Sequence, residues 1–309
     1  MHTRKLYLGF LSMFFSFASF IPEVGVHNKL LLAALFYVGV VFISEWITIH
    51  FAHKSLLQEI RKSWHNTFAF ILTTAVGGLL LDGVAKFLGK LWIYPDWTPI
   101  FYAAIFIPGF AAYWLAICES YLAVKVLLDK ITPGKRRVGK LHRYERWFYS
   151  TLGMCGVIFS LLATLLLLID FFQQSLPLFV PDDVRVSAPS FQVAFTEVML
   201  LFLGIWFFLE WLEYYRKKTS LIKDIVHHYY TPLIAIVLGS MITSVFMELQ
   251  NVPAGLWRYT NWPLSDFAVL DMPILIFIIW PLHYITFLSL FRAMTNKESA
   301  MIWQSDRIA

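Results

Sequence analysis

Two short stretches hold the residues best suited to chemistry. "LWIYPDW" runs from Leu91 to Trp97, and "LWRYTNW" from Leu256 to Trp262. Trp92, Tyr94 and Trp97 in the first answer to Trp257, Tyr259 and Trp262 in the second. An acid precedes each stretch, Asp82 in one case and Glu248 in the other. Electron-rich indole and phenol faces stabilise cations, and a nearby carboxyl group supplies or takes a proton. These types suit acid-initiated carbocation chemistry on a polyene or isoprenoid. Asp82 and Glu248 are then the acid–base candidates, and the six aromatic residues are the wall of the substrate site. The same types also suit binding of a cationic headgroup. A plainer reading is an aromatic belt at a membrane surface, with an acid reaching to water.

The elements that must position these residues follow from composition. Of the 309 residues, 59% are hydrophobic and 15% charged, and the mean hydropathy is +0.65. A soluble domain of this length needs far more charge on its surface. Several apolar runs reach the roughly 20 residues that cross a bilayer core of about 30 Å. The reading is an all-α polytopic membrane protein of about eight transmembrane helices, near 6–22, 30–52, 65–88, 99–125, 147–171, 191–214, 228–249 and 268–292. Pro108, Pro273 and Pro281 fall inside spans, where kinks are expected. The basic, apolar N-terminus lacks a clear small-x-small cleavage site and reads as an uncleaved first helix.

Lys and Arg orient the helices. Twenty of the 25 fall at the N-terminus, in the even-numbered loops and at the C-terminus. Both termini are therefore expected in the cytoplasm, in an inner or plasma membrane. The richest loop, Lys130 to Arg146, follows the same rule and could touch anionic headgroups. The formal charge of +5 is accounted for by this topology, so no nucleic-acid partner is expected.

The chain also matches itself at one constant offset, without a gap. Gly39 meets Gly204, Glu45–Trp46 meets Glu210–Trp211, Ser55 meets Ser220, and Pro108 meets Pro273. Three Trp–Trp matches fall in the aligned stretch, where chance gives about 0.15. This predicts an internal duplication: a first four-helix repeat over 1–128, a basic linker over 129–146, and a second repeat over 147–309. Four helices per unit make the repeats parallel, related by an axis along the membrane normal.

"LLLDGVAKFLGKLWIY" followed by a proline-started helix resembles the carotenoid (lycopene) cyclase domain of the heterodimeric bacterial and fused fungal enzymes. The related carotenoid hydratases have a comparable acid and Tyr loop. The match covers Asp82, Val84, Ala85, Gly89, Trp92, Tyr94 and Pro108 and, more loosely, Glu248, Gly255, Trp257, Tyr259 and Pro273. The resemblance implies a duplicated membrane fold and cyclase- or hydratase-type chemistry on a carotenoid. That family carries an acidic pair after its proline, whereas this chain has Gly109–Phe110 and Ile274–Leu275 there.

Other polar groups fall inside the spans, where ionisable residues are costly and often functional. Glu45 and Glu210 lie near the inner helix ends. Glu119 and His283 lie deeper, on repeat-equivalent helices, and are expected to point into the bundle, within reach of each other or of one shared polar cavity, where they could form an acid–base pair, catalytic or structural. His50, His53, His65, His227 and His228 gather near the inner face without the HxxxH and HxxHH spacing of di-iron membrane hydroxylases. The Glu-x-x-His motif of an eight-helix haem synthase is missing as well, so no metal and no cofactor is expected. Cys118 and Cys155 read as packed thiols. The expected partner is a membrane lipid or isoprenoid substrate. The rival reading is a non-catalytic lipid- or partner-binding membrane protein, such as a transporter or a subunit of a membrane complex.

Overall fold

The computed structural model describes residues 2–53, 55–95, 98–131, 144–173, 191–218, 220–260 and 262–295. Helix α1 (His2–Ser16) is followed by α2 (Val26–Ala52), the short α3 (Leu56–Lys62) and α4 (Trp64–Gly78). The last continues as a π-helix over Leu79–Leu88. Strand β1 (Trp92–Ile93) comes next. A helical run then starts at α5 (Pro99–Phe101), widens over Tyr102–Phe106 and continues as α6 (Ile107–Ile131). The remaining helices are α7 (Glu145–Gln173), α8 (Phe191–Tyr215), the short α9 (Leu221–Val226) and α10 (Thr231–Ala254). Strands β2 (Arg258–Tyr259), β3 (Ala268–Val269) and β4 (Met272–Pro273) precede the last helix, α11 (Ile276–Met294).

Seven of these helices are long and apolar enough to cross a membrane: Asn28–Ala52, Trp64–Leu88, Gly109–Ile131, Glu145–Gln173, Phe195–Tyr215, Thr231–Ala254 and Ile276–Met294. The distribution of polarity agrees. Leu161, Leu165 and Phe172 face outward, while Glu45, Asp82, Glu119, Glu210, Glu248 and His283 are buried. Ionisable groups inside and bare hydrocarbon outside suit lipid as the surrounding solvent.

The expected first span, 6–22, differs from the structure. Helix α1 has 15 residues, about 23 Å at 1.5 Å per residue, which is short for a bilayer core. It tightens into a 3-10 turn over Phe17–Phe20 before Pro22, a residue that disfavours helix in the position before it. There the buried Ser16 hydroxyl donates to the Met13 carbonyl (2.7 Å) and accepts from Gln250 Nε2 (2.7 Å). The expected last span, 268–292, also differs, because it begins as a hairpin. Leu270 and Asp271 both take positive φ (52° and 59°) between β3 and β4, as a two-residue type I′ turn requires. Pro273 therefore lies on a strand and bends no helix, whereas Pro281 lies inside α11.

Helix α1 packs on α2, α2 on α6, α6 on α10, α10 on α11, α11 on α8, and α8 on α7; α4 packs on both α6 and α11. Contacts in the first half recur in the second. A Cβ on Gly39 would lie 2.9 Å from the Gly9 carbonyl oxygen, and one on Gly204 would lie 3.0 Å from that of Gly156. Gly9 in turn abuts Ile43, and Gly156 abuts Phe208. Gly39 answers to Gly204, and Ile43 to Phe208, by the same offset as the tryptophans. The offset from Gly9 to Gly156 is shorter. Close backbone approach at small residues is the usual way membrane helices pair.

At the helix ends away from β1 and β2, a second pair of settings recurs. Ser55 caps α3 and donates to Glu45; Ser220 caps α9 and hydrogen-bonds Glu210. Lys5 completes the first setting, 2.7 Å from Glu45. The Trp206 indole (2.9 Å) and the Ile222 amide (3.1 Å) complete the second.

Candidate functional site

The two aromatic stretches meet. Strands β1 and β2 pair antiparallel, with Trp92 opposite Tyr259 and Ile93 opposite Arg258. Each chain segment turns into the ribbon through a left-handed residue, Lys90 (φ 51°) after the π-helix and Gly255 (φ 64°) after α10. These two positions are also equivalent under the repeat offset. Further bonds fix the register. The Thr260 amide donates to the Leu91 carbonyl (3.0 Å), the Thr260 hydroxyl to the Lys90 carbonyl (2.6 Å), and the Trp262 indole to the Leu91 carbonyl (2.7 Å). Side chains alternate along a strand, so Trp92, Tyr94, Trp257 and Tyr259 share one face.

Each acid joins its own Trp and Tyr. Asp82 is buried at the π-helix and accepts from the Tyr94 hydroxyl at 3.2 Å and 3.3 Å. The Trp92 indole donates to the Tyr94 hydroxyl at 3.1 Å. Tyr102 adds a third group, its hydroxyl donating to Asp82 Oδ2 at 2.7 Å. Glu248 is equally buried on α10 and accepts from the Tyr259 hydroxyl, from the Trp257 indole (3.3 Å) and from Asn251 Nδ2 (3.0 Å). The Trp257 indole also reaches the Tyr259 hydroxyl at 3.3 Å. Burial, and next the neighbouring carboxylate, hold the Tyr94 and Tyr259 phenols well above the ordinary tyrosine range. Both therefore remain O–H donors. The placement is not that of a belt, because the aromatic heads turn inward onto carboxylates.

A cavity of about 230 Å³ lies against this ribbon. Trp92, Tyr94, Trp257, Tyr259 and Trp262 wall it at the ribbon end. Tyr113, Trp280 and His283 wall it toward the middle of the bundle, and Leu30, Ala33 and Ala34 of α2 form one side. If this is a substrate site, Asp82 or Glu248 is expected to line it. They stand one layer back instead, each behind its phenol. The reason is steric: Tyr94 and Tyr259 place their hydroxyls between carboxyl and cavity.

The structure does not bring Glu119 and His283 together. His283 is buried on α11, its Nε2 3.1 Å from the Tyr113 hydroxyl and its ring 4.8 Å from that of Trp114. Among the described residues neither Glu119 oxygen has a hydrogen-bond partner, and its electrostatic neighbours are Glu45 and Lys5. The two residues fall one position apart under the repeat offset, but that offset relates two separate settings and does not make them face each other. Trp97 lies outside the described residues. His50 stacks on Trp46 with ring centroids 5.0 Å apart, and His53 ends α2 at φ 54°. Among the described residues no group of three or more His, Cys, Asp or Glu is placed to hold a metal ion. Cys118 is buried and Cys155 half-buried, both as free thiols.

Sequence reasoning missed Tyr102, Tyr113, Lys86 and Asn251. Lys86 carried a signal, since it follows Asp82 by about one helical turn. Asn251 follows Glu248 by three residues, where Lys86 follows Asp82 by four, and carried a like signal. Tyr102 and Tyr113 carried none, because only tertiary packing brings them to the site. No family model, curated protein or solved structure matches the chain.

Proposed function

We propose that the cavity receives the end of a long apolar isoprenoid, such as a carotenoid, and that the protein is a membrane enzyme of cyclase or hydratase type. The observation that carries this reading is the pair of acid–Tyr–Trp triads joined by one ribbon and turned onto one apolar cavity. A phenol delivers a proton to a carbon–carbon double bond while the carboxyl behind it replaces that proton. The cation so formed lies among indole and phenol faces, which stabilise positive charge. Loss of a proton gives an isomerised or cyclised product, and attack by water gives a hydrated one. A cavity of about 230 Å³ is below the roughly 300–1,000 Å³ of pockets that enclose whole small ligands. It suits a chain terminus with the remainder lying in lipid.

The chain on this reading comprises two parallel four-helix units with both termini cytoplasmic and the ribbon at the outer face. The contacts that recur at one constant offset support two like-oriented units. The matching contacts of Gly9 and Gly156 extend this to the first helix of each, with α1 as the eighth, shorter member. Full hydrogen bonding of both acids favours the rival reading, a lipid-binding protein without catalysis. Lipid extracts of cells with and without the chain, and with an Asp82→Asn, Glu248→Gln double variant, separate the two. A pigment or isoprenoid change that depends on the chain and disappears in the folded double variant supports the enzyme. Full wild-type behaviour of that variant refutes it.

A further inference from the structure

The two triads hold equivalent places but keep different company. Lys86 and Asn251 occupy the same position in the two repeats, each about one helical turn past its acid. Lys86 interacts electrostatically with Asp82. Its ammonium lies 3.6 Å from the Phe87 ring centroid, 5.0 Å from that of Tyr94 and 5.4 Å from that of Tyr102. Asn251 instead gives Glu248 a neutral amide N–H. Around Asp82 stand Lys86 of its own helix, Tyr94 and Trp92 of the ribbon segment, and Tyr102 beyond it, with Lys90 acting on Lys86. Around Glu248 stand Tyr259 and Trp257 of the ribbon, Asn251 of its own helix, Tyr37 of α2 and Tyr113 of α6. Every one of these partners of Glu248 is neutral.

A buried carboxylate beside an ammonium, with further O–H or N–H donors, is a compensated anion. A buried carboxylate with neutral donors alone is a lone charge in an apolar medium, and such groups neutralise by taking a proton. When two carboxyl groups in one site have environments that differ in this sense, one serves as acid and the other as base.

We propose that the two acids divide the reaction: Glu248 enters as the neutral acid and donates its proton through Tyr259, while Asp82, in the field of the Lys86 ammonium, is the standing carboxylate that accepts a proton through Tyr94. This rests on the isoprenoid reading given above. In the forward step the Tyr259 O–H bond breaks and a new C–H bond forms from the π pair of the substrate. The Glu248 O–H proton passes to the phenol oxygen, leaving Glu248 as carboxylate and the substrate as a carbocation. In the closing step a C–H bond next to the cation breaks and its pair becomes the new double bond. That proton goes to the Tyr94 oxygen as the phenol proton passes to Asp82. The substrate is isomerised without any change of oxidation state, and transfer of one proton from Asp82 back to Glu248 resets the site.

Difference infrared spectroscopy of the full-length protein at neutral pH tests the assignment without any substrate. Glu248→Gln should remove one protonated-carboxyl C=O band relative to wild type, and Asp82→Asn should remove only carboxylate bands. Exchanging the neighbours gives an independent check on variants that keep both acids. Lys86→Met should add a protonated-carboxyl band, and Asn251→Lys should remove one. A protonated-carboxyl band lost in Asp82→Asn, or kept in Glu248→Gln, overturns the division. With the infrared result in hand, product formed in deuterated water tests the wider reading. Should the bands behave as stated while no lipid changes, the isoprenoid function fails and the protonation asymmetry stands.

Discussion

Tyr94→Phe and Tyr259→Phe remove one oxygen each and leave ring volume and ring stacking in place. The structure sets the size of the effect. Asp82 would keep the Tyr102 hydroxyl at 2.7 Å, and Glu248 would keep Asn251 Nδ2 at 3.0 Å and the Trp257 indole at 3.3 Å. Each acid thus loses one donor and keeps at least one other. A hydrogen bond contributes about 1.5–3 kcal/mol to a charged group such as the Asp82 carboxylate and about 0.5–1.5 kcal/mol to a neutral one such as Glu248, and at Asp82 the surviving donor keeps the loss at the lower end. Each variant should therefore fold, with a stability loss of about 1–2 kcal/mol in detergent unfolding. On the isoprenoid-enzyme reading, the effect on turnover should be larger. Each carboxyl stands one layer behind the cavity wall, so without the phenol no proton crosses that layer directly. General acid–base steps of this kind contribute roughly 10²–10⁴-fold, and the product rate should fall by that order in both variants. The pH dependence has a definite sign. The folded-state phenols lie above the ordinary value of 10.0, so their contribution to stability is complete below that value. It is lost as pH rises beyond it, because the unfolded chain ionises first. The double phenylalanine variant should lose less stability on alkalinisation than wild type. Folded variants with unchanged product rate would show that the phenols carry no proton and would sink the relay.

Other consequences can be measured separately. Gly39→Ala and Gly204→Ala should each destabilise by about 1–3 kcal/mol, since each Cβ would press a facing backbone carbonyl. Gly25→Ala, which meets nothing within 4 Å, should be close to neutral, and equal behaviour of all three in thermal unfolding would contradict the close helix crossing. Gly109→Phe places a ring where a Cβ meets nothing within 4 Å, beside the cavity. It should reduce ligand or substrate occupancy while leaving the fold intact, as read by quenching of the cavity tryptophans. Lys5→Met leaves buried Glu45 with Ser55 as its hydrogen-bond donor and should cost about 3–5 kcal/mol. Lys5→Met with Glu45→Gln should recover much of that loss, and the absence of recovery would argue against the ion pair.

Much of the membrane architecture was legible because hydrocarbon thickness acts directly on sequence. An apolar run of the right length has few other uses. The first span misled because apolar content alone does not end a helix, whereas the Ser16 hydrogen bonds and Pro22 do. The last span misled because Val269, Leu270, Met272 and Pro273 read as helix by hydropathy, while two left-handed residues make them a hairpin. The acids and the Trp-x-Tyr pairs were legible because the chain writes them twice. The bonds of each acid to its own Trp and Tyr span 9 to 12 residues within one segment; the meeting of the two pairs is a tertiary fact, since it needs an antiparallel ribbon between segments far apart in the sequence. The same limit explains Glu119 and His283. Matching positions under a repeat offset are equivalent to each other, and equivalent positions in a two-fold arrangement touch only at the axis.

On the two-unit reading the ribbon lies at such an axis, and that would account for what it holds. Under the repeat offset, Trp92 becomes Trp257 and Tyr259 answers to Tyr94. The pair Trp92–Tyr259 therefore turns into the pair Trp257–Tyr94, which lies further along the same antiparallel register and on the same face. On that reading a segment pairs with its own copy, and the pairing brings Trp92 and Trp257, and Tyr94 and Tyr259, to one cavity. Two identical acids behind those phenols would repel as anions or both be neutral. The departures from identity fall where that problem arises. Lysine stands beside one acid and asparagine beside the other, and Tyr102 supports Asp82 while Asn251 supports Glu248. The backbone relationship supplies two matched sites, and these few side chains make them chemically unlike.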